Sequence, residues 1–63
     1  MQANADARAS AHARRGVILC QLGLPEKSLP EFEEALRLRP DDALLRDYEN
    51  ARRLVEQDEE SDE

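Results

Sequence analysis

A chain of 63 residues with a net charge of −6, one cysteine, one histidine and no tryptophan excludes several classes at once. It holds one domain at most, it can close no internal disulfide, and one Cys with one His falls short of the four ligands of a structural zinc site. A domain this short buries only roughly 60% of its unfolded surface, so a partner chain is the staple left to it.

Ala, Leu, Glu and Arg dominate, and all favour helix. The β-branched residues are Val17, Ile18 and Val55, with no Thr. No apolar run approaches the roughly 20 residues of a membrane span, and the opening MQANADARAS lacks the apolar core of a secretory signal. The expected setting is therefore cytoplasmic, where a free thiol persists. The charge is concentrated. Residues 56–63, EQDEESDE, hold six acids, while the other residues carry nine acids and nine bases. Such a block repels phosphate and argues against nucleic acid as a partner. It reads as a solvated, disordered end over residues 57–63, or alternatively as a bait for a basic surface.

In chain order, residues 1–8 are polar and Ala-rich and read as a flexible lead-in. The helix pattern strengthens from about Ala9 to Leu22, where Ala11, Ile18, Leu19 and Leu22 fall roughly on one face. Gly16 lies inside it and costs about 1 kcal/mol against Ala, which predicts the close approach of a second helix. Gly23 is a C-terminal stop. Pro25 suits the first turn of a second helix, running to about Leu38 with Leu29, Phe32, Ala35 or Leu36, and Leu38 as its apolar stripe. Pro30 deletes one backbone bond near Glu26. Glu33 and Arg37 are spaced to pair across one turn. Pro40 ends this helix. Asp41 or Asp42 caps a third, over about 43–56, where Leu44, Leu45, Tyr48, Ala51 and Val55 recur at the helical period. Asp42 with Arg46, and Glu49 with Arg53, are spaced to pair. The predicted class is all-α: an antiparallel helical hairpin, a third helix and an acidic tail.

With Gly16, Phe32, Ala35 and Pro40 spaced as they are, the stretch Ala9–Asp42 resembles one tetratricopeptide repeat. That family's 34-residue unit reads Trp, two residues, Leu-Gly, two residues, Tyr, then Ala, three residues, Phe, and finally Pro. Gly16, Phe32 and Pro40 stand at matching spacings, Ala35 holds the second small position, and Gly23 falls on the turn between the helices. Ser28 stands for the first small residue and Leu19 for the Tyr. His12 and Arg15 replace the family's large aromatic and its Leu, and both are poor core residues at the start of the first helix. In strict register the third helix would bring Arg46, Glu49 and Arg53 inward. Slipped by one residue it brings Leu44, Leu45, Tyr48 and Ala51 inward, so it reads as a capping or swapped helix.

The resemblance implies a protein-binding role without chemistry, the ligand lying on the first helix at Ser10, Ala13, Val17, Cys20 and Gln21. The Lys, Arg and Asn with which some members grip a chaperone's C-terminal carboxylate are missing from those positions, so that ligand is not expected. Repeat arrays generally need three or more units to bury a continuous core, which this chain does not supply. The expected partner is a protein or peptide, and the expected assembly is a homo-oligomer, a dimer first, or docking on a larger helical-repeat protein. The residues expected in the core or between chains are Ile18, Leu19, Leu22, Leu29, Phe32, Leu36, Leu44, Leu45, Tyr48 and Leu54.

Catalysis has nothing to stand on. Cys20 sits late in its helix, away from any cation that would activate it, and reads as a partly buried structural residue. His12 is two helical turns from Cys20, too far to share a ligand, and reads as a packing or solvent-facing residue. Arg8, Arg14 and Arg15 form an exposed basic cluster. Glu31, Glu33 and Glu34 lack the cleft that would split them into acid and base. No phosphate loop, GxSxG turn or HExxH helix is present. No enzyme activity, cofactor, metal, nucleic acid or membrane is expected. Two alternatives stand beside the interaction module: a small structural or regulatory subunit whose acidic tail engages a basic partner, and an excised or designed fragment of a longer repeat protein.

Overall fold

The structure of the chain, a computed structural model, describes residues 4–60. It comprises three helices, α1 (Ala5–Gln21), α2 (Pro25–Leu38) and α3 (Asp42–Glu60), with no strand among the described residues.

α1 begins at Ala5, inside the stretch expected as a lead-in, because Asn4 supplies a cap. Its side-chain oxygen accepts from the Ala7 N–H at 2.8 Å, and Asp6 in the first turn complements the helix dipole. At the other end Leu24 N–H donates to Leu19 C=O at 2.8 Å and Gly23 N–H to Cys20 C=O at 3.0 Å. This paired closure needs a left-handed residue, and Gly23 supplies it with φ 81°.

α2 starts on Pro25 without a side-chain cap and continues through Pro30. It ends at Arg39, whose extended backbone (φ −153°, ψ 101°) is what the following Pro40 demands. Asp41 is the cap of α3. Its Oδ1 accepts from Ala43 N–H at 2.8 Å and Leu44 N–H at 3.3 Å. α3 runs to Glu60, so the helix continues into the acidic stretch; residues 61–63 of the expected tail lie outside the described residues.

α1 and α2 form the hairpin, and α3 packs chiefly on α2 of its own chain, meeting α1 along little of its length. The core centres on Phe32, Ala35, Leu44 and Ala51, flanked by Ala13, Cys20, Leu29, Leu36 and Tyr48. Gly16 has the role its sequence predicts: it lies under the Phe32 ring.

Four of the residues expected in packing are exposed within the chain: Ile18, Leu22, Leu45 and Leu54. The reason lies in α1, which turns Ala9 and Gly16 inward with Cys20 against the core. Small residues there let Phe32 approach, and that choice rotates Ile18 and Leu22 to the outside. In α3, Leu44, Tyr48 and Ala51 face α2, which leaves Leu45 and Leu54 on the flanks.

Ion pairs also differ from expectation. Arg37 pairs with Glu34, one residue from the expected Glu33, because Glu33 accepts from the Tyr48 hydroxyl at 2.9 Å. On α3 the pair among the described residues is Arg52–Glu56 at 3.9 Å, in place of Asp42–Arg46 and Glu49–Arg53.

Candidate protein-binding groove

Ser10, Ala13, Val17, Cys20 and Gln21 recur at spacings of three, four, three and one along α1, which makes them a single stripe. Because α3 leans on α2, this stripe faces α3 across an open groove. Val17, Cys20 and Gln21 line a recess of about 180 Å3 whose opposite wall is Asp47, Asn50, Ala51 and Leu54 and whose floor is Phe32. Ser10 and Ala13 line a second recess of about 170 Å3 with Ala9, Arg39, Asp41, Ala43, Leu44 and Asp47. Asp47 belongs to both.

The floor of the first recess is held by burial. Phe32 is 1% exposed and Ala51 0%, so neither moves without opening the core. Cys20 is fixed by a hydrogen bond from its thiol to Ser28 Oγ at 3.3 Å. Ser28, fully buried, donates in turn to Pro25 C=O at 2.6 Å. This chain satisfies every polar atom of the buried hydroxyl and uses the thiol as a packing element, the structural role expected for it.

Polar links tie the outer flanks, and of the residues in them Arg39 alone lines either recess. His12 Nδ1 meets Glu31 Oε1 at 2.8 Å across α1 and α2, both side chains about a quarter exposed (25% and 28%). Asp6 faces Arg39 at 3.6 Å. Tyr48 donates to Glu33, and the Arg52 guanidinium lies 5.9 Å from the Tyr48 ring centre. The hydrogen bond to Glu33, with burial second, raises the Tyr48 pKa above its usual value. The Arg37 hydrogen bond lowers that of Glu34.

Of the α3 residues opposite, Ala51 and Leu54 are among those expected to pack, whereas Asp47 and Asn50 are polar and an apolar-period search passes over them. The basic cluster Arg8, Arg14 and Arg15 is exposed and lies outside both recesses. No described helix is long and apolar enough to cross a membrane.

The family model described as tetratricopeptide repeat matches residues 9–42, the hairpin that carries the α1 wall and the Phe32 floor. Curated relatives include dynein axonemal assembly factor 4 of Pongo pygmaeus and of Rattus norvegicus, each 39% identical over 54 residues. The alignment covers 84% of this chain and 13% of each relative, so the chain spans a small part of the proteins it matches. No solved structure matches the chain.

Proposed function

Because the chain belongs to the tetratricopeptide repeat family, we propose that it is a protein-interaction module which takes a segment of another protein into the groove between α1 and α3 and does no chemistry of its own. One observation carries the reading. The five α1 positions implied by the family resemblance line two adjoining recesses that share Asp47, and α3 lines the far side of both. The groove has an apolar floor and amide-bearing rims, the composition suited to a short peptide.

The test is panning a displayed library of random 12-residue peptides against the chain. Enriched peptides should lose binding to Val17→Arg and to Leu54→Arg, both exposed positions where a long side chain fills the recess without touching the core. Circular dichroism verifies that each variant keeps its helix. Peptides that bind both variants as well as the parent chain would place the binding surface elsewhere.

The relatives' name supplies a setting. They are called assembly factors of axonemal dynein, and by that likeness the partner we propose is a protein of dynein assembly, met in the cytoplasm.

A second reading concerns the outward face of α1, where Ile18 is 46% and Leu22 68% exposed. Two large aliphatic residues one turn apart on an open helix face favour contact with a further helix, either of a second copy or of a larger repeat protein. Sedimentation against concentration tests self-association. A dimer dissociated by Leu22→Glu supports the first occupant, and a monomer at every concentration leaves the larger repeat protein.

A further inference from the structure

We propose that the groove selects a cationic segment: an extended peptide that sets an apolar side chain between Val17 and Leu54 and a lysine or arginine against Asp47. This rests on the groove being the binding surface and adds the chemistry of what it binds.

Asp47 stands where the two recesses meet. It is exposed, and none of the ion pairs among the described residues holds it. Arg39 is the one cation lining either recess, and it faces Asp6 at 3.6 Å. Asp41 adds a second carboxylate to the lower recess. The lining is thus net negative, although the hairpin's α1 carries Arg8, Arg14 and Arg15. Arg14 lies one turn from both Ser10 and Val17 and lines neither recess, so it acts on a ligand only from the rim.

Val17 and Leu54 are 38% and 46% exposed on facing walls, above Phe32 and Ala51. An aliphatic side chain seated between them removes apolar surface on both sides from water. Gln21 and Asn50 flank the same recess, and each amide both donates and accepts, as a peptide backbone requires. Spacing follows from helix geometry. Asp47 and Leu54 are two turns apart on α3, about 10 Å at 1.5 Å per residue. An extended chain covers that in about three residues. The motif is an aliphatic residue with a cation three positions away.

The experiment is a titration of the full 15N-labelled chain with three eight-residue peptides, blocked at both ends so that no terminal charge contributes. They differ only in carrying Lys, Gln or Glu three positions after a Leu. The expected result is shifts at Val17, Asp47 and Leu54, with the Lys peptide binding about fivefold or more tighter than the Glu peptide, the scale of an exposed charge pair. Asp47→Asn, at an exposed site, should keep the fold and remove the difference. Tighter binding of the Glu peptide would overturn the proposal in favour of the rim arginines. Equal binding of all three with shifts confined to the groove would overturn the charge preference and leave the groove reading standing. Shifts elsewhere, or none with any peptide, would overturn both.

Discussion

Phe32 lies so close over Gly16 that a Cβ there would sit 2.7 Å from its Cε1 and 2.9 Å from Cδ1 and Cζ. The ring is 1% exposed and closes the floor of the groove, so this one contact joins hairpin packing to the proposed binding surface. It also explains a glycine in mid-helix that costs α1 about 1 kcal/mol of intrinsic propensity. Gly16→Ala recovers that propensity but forces the ring aside, at a cost of about 1–3 kcal/mol for an overpacked core. The net loss, about 1 kcal/mol at the centre of that range, should lower the melting midpoint by roughly 4–8 °C in a domain this small. A midpoint that rises would mean the ring has room to yield.

Phe32→Ala should cost about 3 kcal/mol or more, since it empties the centre of the core. Tyr48→Ala should cost less, because Tyr48 is only half-buried, and Tyr48→Phe about 1 kcal/mol for the lost hydrogen bond to Glu33. Urea denaturation of the three variants orders them. A Tyr48→Ala variant as weak as Phe32→Ala would mean that α3 contributes more than its exposure shows.

Asp41 caps α3 through two backbone donors, and Asp41→Ala should cost about 1 kcal/mol. The loss should appear first as fraying at Ala43 and Leu44, which line the lower recess. Amide hydrogen exchange localises it. Fraying at the far end of α3 instead would show that the cap is not what anchors this helix to α2.

Two groups set opposite pH limits. The Tyr48 pKa is raised, first by the hydrogen bond to Glu33, so the neutral phenol is favoured in the folded state. That contribution is present below the ordinary tyrosine value of 10.0 and is lost as pH rises through the raised folded value. The Glu34 pKa is lowered, first by the Arg37 hydrogen bond. Its contribution is present above the ordinary value of 4.5 and is lost as pH falls through the lowered one. Tyr48→Phe should flatten the alkaline limb of a stability-against-pH curve, and Glu34→Gln should slightly flatten the acid limb. Unchanged limbs in both variants would assign them to other groups.

How much of the molecule is legible in its residues is clearest in particular places. Gly16, Gly23, Pro25 and Pro40 punctuate the chain where the backbone or a neighbour tolerates little else, and each does in the structure what its chemistry demands. The N-terminus of α1 carries less signal. Asn4 caps it, but the turn that follows, Ala5–Arg8, has no large apolar residue to set a period.

The sequence alone determined that the chain is helical, where its turns fall and that the middle resembles a tetratricopeptide repeat, because propensity, capping and turn chemistry act over a few residues. Only the tertiary structure decided which of two stripes on α1 turns inward. Ile18 and Leu22 have the greater transfer free energy, yet Ala9, Gly16 and Cys20 face the core, because burial requires that a partner surface fit, and small residues admit Phe32 where aliphatic ones would not. The same packing leaned α3 onto α2 and brought Asp47, Asn50 and Leu54 opposite the α1 wall. That juxtaposition joins residues about 30 positions apart in the chain, and no local pattern encodes it.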